Sequence, residues 1–155
     1  MTLPAARFVA CAALFVLLIA VPARARAPAG HFTAAAGVVH DNKTNLNWQQ
    51  AGSTATYTYA NALTYCSRNM PALPGSGWRL PAVKELQTLV DDSVALPGPT
   101  IDASVFPSTP ATYFLSSTPH SVDSGFIWLV SFDGGVTVHL NSLDTTVSFY
   151  VRCVR

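Results

Sequence analysis

The sequence predicts a small single-domain α+β protein, and three patterns in it support that class. Apolar residues recur at helical spacing in two segments of the first half. Apolar and polar residues alternate in the last third, where an Asp-Gly turn joins two strand-like runs. Two cysteines, Cys66 and Cys153, lie in the first helical segment and in the last strand-like run. We therefore expect two helices packed on a twisted, mostly antiparallel sheet, with one disulfide.

The start of the chain has the pattern of a secretory signal peptide. An apolar run at residues 8–21 follows Arg7, and Ala23 and Ala25 supply the small residues that precede a signal-peptidase cut. The run is shorter than the roughly 20 apolar residues of a membrane span. An uncleaved anchor and lipidation at Cys11 are the alternatives. We predict a signal peptide at 1–25, a flexible leader at 26–37 and one domain at 38–155.

The mature chain is expected to be close to neutral, and outside the cytoplasm. Loss of the signal peptide removes Arg7 and Arg24, which leaves seven basic residues against eight acidic ones, with no basic run. Nucleic acids and anionic membrane surfaces bind clustered Lys and Arg side chains. We therefore expect no nucleic-acid partner and no stable membrane span after cleavage, in a protein that is secreted, periplasmic or at the cell surface.

The two cysteines that remain after signal cleavage are expected to form a bridge. Cys153 lies close to the end of the sequence, where a chain frays unless something holds it. A bridge to Cys66 would close a loop of about 90 residues, worth roughly 4 to 5 kcal/mol in the chain-entropy model. Two buried free thiols, or a reactive thiol with a distant base, are the alternatives.

Two elements are predicted in the first part of the domain. Short apolar pairs flank the turn-rich stretch "DNKTN", which predicts a hairpin. Downstream, apolar side chains recur at i, i+3, i+4 and i+7, as on the buried face of a helix. The residues of this stripe are Tyr59, Ala62, Leu63 and Cys66. The stripe places Cys66 towards the core.

A second helix is predicted in "RLPAVKELQTLVDD". Pro81 suits its first turn, and Asp91 and Asp92 are expected to end it because the helix dipole disfavours negative charge there. Its inward-facing residues are Val83, Leu86, Leu89 and Val90. The proline-rich stretch from Ser93 to about Pro119 predicts long loops with one short strand at "TYFLSS". Long loops on a compact scaffold are common places for binding sites.

The last third is predicted to be antiparallel sheet. The runs "FIWLVSF" and "VTVHL" alternate and are joined through "DGG". The run "TTVSFYVRCVR" predicts a further strand, because its apolar residues also recur at every second position. One face of that strand would carry Phe149, Val151 and Cys153, and the other would carry Tyr150 and Arg152.

Seven segments carry a family resemblance when they are taken in order. They are "DNKTNLNWQ", "YANALTYC", "GWRLPAVKEL", "IDASVFPSTP", "FLSST", "WLVSFDGG" and "YVRCVR". From about Val38 to Arg155 the chain thus resembles the Lcl C-terminal domain family. The resemblance implies a C-type-lectin-like fold, in which two helices flank a twisted sheet. It also implies a disulfide from the first helix to the last strand, here from Cys66 to Cys153.

The resemblance also implies a role. The family is named for the C-terminal domain of a bacterial collagen-like adhesin, and its best-understood member binds sulfated glycosaminoglycans. This sequence departs from that member because it has no collagen-like segment and a nearly neutral mature charge. We therefore expect a non-catalytic binding or adhesion module for a glycan, including a glycosaminoglycan, or for a surface protein. A structural component of an envelope assembly, and an enzyme on a lectin-like scaffold, are the alternatives.

No metal ligand, cofactor or catalytic residue is predicted. A calcium site needs six to eight oxygens from nearby positions, and the acidic residues of this chain are scattered, with a structural cation near Asp91 and Asp92 as the alternative. The four histidines show no metal-ligand spacing. The enzyme alternative would place an acid or a base at Asp91, Asp92 or His139. Arg79 is expected to pair with Glu85 for structural reasons, with ligand binding as the alternative.

The polar face of the last hairpin is the predicted binding surface. Its residues are Thr137, His139 and Asn141, with Tyr150 and Arg152 expected alongside and Trp128 as an aromatic platform. The alternative is a plain solvated sheet face. Trp48 and Trp78 are expected in the core.

Overall fold

The structure is a computed structural model that describes residues 30–155. The predicted signal peptide lies outside the described residues. The described elements are strands β1 (Phe32–Ala35), β2 (Val38–Asp41) and β3 (Leu46–Gln49), helices α1 (Tyr59–Ser67) and α2 (Val83–Gln87), and strands β4 (Tyr113–Pro119), β5 (Phe126–Ser131) and β6 (Thr137–Asn141). The α+β class that the sequence predicts is confirmed.

The first sheet has the order β1-β2-β3, and all of its strands are antiparallel. The predicted hairpin around "DNKTN" is confirmed as β2 and β3, in which Val39 is opposite Trp48. The predicted flexible leader is wrong in its second half, because Phe32–Ala35 forms β1 and pairs with β2. Ala36 and Gly37 connect the two strands, both with positive φ. A two-residue turn of this kind matches the twist of a hairpin.

The second sheet has the order β4-β5-β6 and is also antiparallel. It confirms the short strand predicted at "TYFLSS" and the hairpin predicted on either side of "DGG". The ladder between β4 and β5 shifts register between Leu115 and Pro119. In the ladder between β5 and β6, Trp128 is opposite His139.

The helices confirm the two predicted segments, with corrections to both. The buried residues of α1 are Ala62, Tyr65 and Cys66, whereas Leu63 is 38% exposed. The second helix is shorter than predicted and is complete at Gln87, where the Thr88 hydroxyl donates to the Glu85 carbonyl. Pro81 precedes α2, and Leu89 reaches the core from the turn that follows the helix.

The two helices pack on opposite faces of the second sheet, and each completes one buried cluster. The cluster on the α1 side includes Ala62, Cys66, Leu115, Ile127, Leu129 and Val151. The cluster on the α2 side includes Leu86, Leu89, Phe114, Val130, Phe132 and Trp48. Trp128 belongs to neither cluster.

The last seven residues form an extended segment that lies between the two sheets. Phe149 and Tyr57 exchange two backbone hydrogen bonds, and so do Val154 and Arg79. The segment also bonds to β3, where the Gln49 amide donates to the Cys153 carbonyl. Since it has neighbours on both sides, residues 151–154 are all buried. The prediction of a strand with one polar face is therefore wrong here.

The predicted disulfide is confirmed. Cys66 of α1 and Cys153 of the last segment are joined at an S–S distance of 2.04 Å, across 87 positions of sequence. Both cysteines are fully buried. The bridge excludes the two alternatives of free buried thiols and a reactive thiol.

Candidate functional site

An aromatic surface lies on the β5–β6 hairpin, on the face of the second sheet towards α2 but beyond the cluster that α2 completes. The register puts Trp128 opposite His139 and Phe126 opposite Asn141, so these four side chains share one face of the sheet. His120 joins them from the segment after β4, where its backbone amide donates to the Phe126 carbonyl at 2.7 Å. We call these five residues the aromatic face.

The rings of the aromatic face contact one another. The His120 ring centroid lies 5.1 Å from that of Trp128 and 5.0 Å from that of His139. His139 also meets Phe126 at 5.6 Å and Trp128 at 5.9 Å, both in edge-on geometry. These separations lie in the range that aromatic pairs prefer. The rings therefore hold one another in place.

The aromatic face is open to solvent because α2 is short. Phe114 and Val130 lie on this same side of the sheet, and both are fully buried in the cluster that α2 completes. The helix has only five residues, about 7.5 Å of length, so it covers one end of the sheet. Beyond it, Trp128 is half-buried and His139 is exposed.

Two loops at the edge of the aromatic face are bonded to each other. The backbone amide and the hydroxyl of Ser142 both donate to the Gly125 carbonyl, at 2.7 and 2.8 Å. In the first loop, Gly125 donates to the Asp123 carboxylate at 2.9 Å. In the second, the Leu143 amide donates to the Asn141 side-chain oxygen at 3.0 Å. These bonds fix the positions of Phe126 and Asn141 at the end of the hairpin.

The polar atoms of the aromatic face are mainly imidazole, indole and amide nitrogens. The Val122 amide donates to His120 Nδ1 at 3.4 Å, so a neutral His120 carries its proton on Nε2. Within residues 30–155, the indole N–H of Trp128 and the ring nitrogens of His139 make no hydrogen bond. The surface can therefore offer hydrogen-bond donors next to apolar rings.

The structure brings together three of the residues predicted from the sequence: Trp128, His139 and Asn141. Thr137 is on the same strand and face but pairs with Val130, at the end that α2 covers. Tyr150 lies beside Phe114, with ring centroids 5.8 Å apart, and is half-buried. It therefore stands apart from the aromatic face.

Arg152, which was also predicted for this surface, is fully buried elsewhere. Its Nη1 donates to the carbonyls of Gln49 and Gln50 at 3.0 and 2.6 Å, and its Nη2 donates to the Thr109 hydroxyl at 2.7 Å. Its guanidinium also lies 4.7 Å from the centre of the Phe106 ring. Burial lowers the pKa of Arg152 to about 9, so the side chain stays charged at neutral pH. The prediction that Arg152 lies on the hairpin face is therefore wrong.

Two members of the aromatic face were missed from the sequence. Phe126 follows the same alternation as Trp128 and Val130, so its side of the strand could have been predicted. His120 has no such signal, because it follows the register shift in β4 and reaches the face through a tertiary contact with Phe126.

The other polar groups named from the sequence have structural partners. Both terminal nitrogens of Arg79 donate to the Glu85 carboxylate at 2.7 Å, which confirms that pair. Hydrogen bonds from Arg79 outweigh partial burial and lower the pKa of Glu85. Asp91 accepts hydrogen bonds from the amide and the hydroxyl of Ser93. The predicted core positions of Trp48 and Trp78 are confirmed, since both are buried.

The part of the chain that the structure describes contains neither a metal-ligand cluster nor a membrane-spanning helix. Within residues 30–155, no group of three or more His, Cys, Asp and Glu side chains is arranged to hold a metal ion. Neither helix that the structure describes has the length and apolar character needed to cross a lipid bilayer.

The fold and the site define a disulfide-linked α+β domain that presents an aromatic sheet surface. The family model of the Lcl C-terminal domain matches residues 37–155, and the chain belongs to that family. The C-type-lectin-like fold that the resemblance implies stays a prediction. A comparison with curated proteins gives no significant match.

Proposed function

We propose that the protein is a non-catalytic binding module that acts outside the cytoplasm and binds a glycan on its aromatic face. The observation that carries this proposal is the half-buried Trp128 ring, held between His120 and His139 at the open end of the sheet. A sugar presents C–H groups on the faces of its ring and hydroxyl groups around its edge. An indole combines an apolar surface with one N–H donor, which suits both parts of that ligand.

A binding role is supported by the surroundings of the residues that an enzyme would use. Acid–base catalysis needs its groups within reach of one reacting atom. Asp91 is engaged by Ser93 in a local turn, and His139 contacts aromatic rings. Asp92 lies beside Gly135, in the turn between β5 and β6.

The location outside the cytoplasm is supported by the disulfide between Cys66 and Cys153. Such bridges form and persist in oxidising compartments and are rare in the cytosol. The signal-peptide pattern at the start of the chain agrees with this. We propose that the protein is secreted, periplasmic or displayed at the cell surface, where adhesion is a natural role for a glycan-binding module.

A protein ligand, including a partner in an envelope assembly, is the second candidate. Val122 and Leu143 are 88% and 79% exposed, in the two loops that border the aromatic face. Exposed apolar side chains next to aromatic rings are a feature of protein-binding surfaces.

The test is binding of the purified, oxidised protein to a glycan array, with Trp128→Ala as the variant. The matched control is Val138→Ala, which removes a partly exposed apolar side chain from the opposite face of the neighbouring strand. We expect selective glycan binding that weakens about tenfold or more in Trp128→Ala, the loss of roughly one good aromatic contact. The control should bind like the wild type.

Thermal unfolding of each variant separates a loss of binding from a loss of folding. If no glycan binds to the folded protein, or if folded Trp128→Ala binds as well as the wild type, the proposed function is wrong. Capture of a protein partner that depends on Val122 and Leu143 would then support the second candidate.

A further inference from the structure

We propose further that the aromatic face selects neutral sugars over acidic or sulfated ones and binds them without a metal ion. This selectivity rests on the glycan-binding role proposed above and specifies its ligand. It differs from the glycosaminoglycan ligand that the family resemblance implies.

The charges at the aromatic face carry this proposal. None of its five residues has a fixed charge, and Arg152, the cation that the sequence placed there, is in the core. The bordering loops contribute two carboxylates instead, from Asp123 and Asp144. Hydrogen bonds from the Thr146 hydroxyl and amide lower the pKa of Asp144, so it stays ionised. An anionic ligand would therefore meet repulsion without a matching positive group.

The neighbouring helix does not change this balance. On α2, which packs on the same side of the sheet, the charged residues are Lys84 and Glu85. Glu85 forms an ion pair with Arg79 through two hydrogen bonds, so the charge of Glu85 is already balanced. Lys84 is a single exposed cation, whereas sulfated polymers bind to clusters of cations.

The hydrogen-bonding groups match uncharged hydroxyls. Each sugar hydroxyl can donate one hydrogen bond and accept others, and neutral imidazole has one donor and one acceptor nitrogen. His139 therefore fits a hydroxyl in either direction, while Trp128 and the Asn141 amide add further donors. Because these groups can bind a sugar directly, no bridging cation is needed.

The experiment uses the indole N–H signals of the full-length, oxidised protein in nuclear magnetic resonance spectra. The protein has three tryptophans, and Trp48 and Trp78 are buried, so their signals are internal controls for Trp128. The probes are chitotriose, cellotriose and maltotriose as neutral sugars, and a heparin tetrasaccharide as the sulfated one. All titrations are made near pH 7.5, once with a chelator present and once with added calcium.

We expect at least one neutral probe to move the Trp128 signal, and to bind at least about tenfold more tightly than the heparin probe, a difference of about 1.4 kcal/mol. Lys84→Ala should leave the neutral affinity unchanged. Asn141→Lys should raise the affinity for the heparin probe, because it adds the cation that the face lacks.

Three outcomes separate the two levels of the proposal. Tighter binding of the heparin probe at Trp128 overturns the selectivity for neutral sugars and leaves the glycan-binding role intact. Neutral binding that requires added calcium overturns the metal-free part. If the glycan array and all four probes give no response at Trp128, the glycan-binding role itself is overturned.

Discussion

Arg152 shows how a charged residue can be built into the core of a small domain. Its guanidinium connects the end of β3, through the Gln49 and Gln50 carbonyls, to Thr109 in the long loop before β4. Its charge is balanced by carbonyl and hydroxyl oxygens and by the face of Phe106. It therefore fixes the loop to the first sheet.

Replacing Arg152 with Met should destabilise the protein but leave the aromatic face unaffected. Several buried acceptors lose their donor in this variant. The cost of burying a charge also disappears, but this offsets only part of the loss. We therefore expect a decrease of about 2 kcal/mol in the free energy of unfolding. Denaturant unfolding measures this, with Arg68→Met as the control because Arg68 is exposed. An unchanged stability, or a selective loss of glycan binding by the folded variant, would contradict this placement.

Asp41 makes stability depend on pH. Its carboxylate is buried, which would raise its pKa, but hydrogen bonds from the Thr44 hydroxyl and from the Lys43 and Thr44 amides outweigh burial. The positive charge of His31 acts in the same direction, and the net effect lowers the pKa below its usual 3.8. The ionised Asp41 carboxylate thus stabilises the fold above pH 3.8, and this stabilisation is lost as the pH falls through the lower pKa of the folded state.

Asp41→Asn should therefore be less stable than the wild type by about 1 to 2 kcal/mol at neutral pH, with a gap that closes in acid. Unfolding curves between about pH 6 and pH 2.5 provide the measurement. Asp133→Asn is the control, since Asp133 lies in an exposed turn. A gap of constant size across this range would show that the carboxylate charge is not responsible.

The residues of the site were predictable to the extent that they follow from strand alternation. Trp128, His139 and Asn141 share a face because side chains alternate along neighbouring strands, which the sequence already indicates. The burial of Arg152 depends on two sheets closing around one segment. His120 depends on a contact that follows an irregular ladder. The burial of Arg152 and the position of His120 both depend on tertiary contacts, which a local sequence pattern does not indicate.

At the level of elements, the loop before β4 packs closely against the end of β5. A Cβ atom added at Gly98 would meet the Phe132 carbonyl oxygen and would lie 2.6 Å from the Thr100 nitrogen. Thr100 itself donates to Phe132, from its amide at 2.7 Å and from its hydroxyl at 3.1 Å. The loop is therefore joined to the sheet by its backbone, which leaves no room for a side chain at Gly98.

Gly98→Ala should lower the free energy of unfolding by about 2 to 3 kcal/mol, because the backbone must move and the bonds to Phe132 weaken. Thermal or denaturant unfolding measures the effect. Gly134→Ala is the control, since a Cβ there would have only ordinary contact with Leu96. Equal stability of the two variants would mean that the loop can shift at little cost.

The elements themselves were largely predictable, and the exceptions have physical causes. β1 was not predicted because the turn after it places Ala36 at positive φ, where a hairpin turn usually has Gly or Asn. The second helix was predicted too long because Leu89 keeps the helical spacing of the stripe, although it reaches the core from a turn. In both cases the pattern of residue types does not reveal the backbone conformation that the residues adopt.

For the whole molecule, the bridge between Cys66 and Cys153 links α1 to the segment between the sheets. Replacing both cysteines with Ser should reduce the free energy of unfolding by roughly 2 to 5 kcal/mol, because the unfolded chain regains the freedom of a long loop. Denaturant unfolding of the variant and of the oxidised wild type gives this difference. Equal stabilities would show that buried packing alone holds the segment.

The position of residues 149–155 also has a consequence for the order in which the domain is made. These residues bond to Asn47, Gln49, Tyr57 and Arg79, all of which are synthesised far earlier. The second edge of β3 thus has no partner until this late segment emerges, so contacts between residues distant in sequence must form before the core around β3 is complete. A nascent chain that lacks these residues would expose its unfinished core, and we expect it to be a substrate for chaperones and proteases.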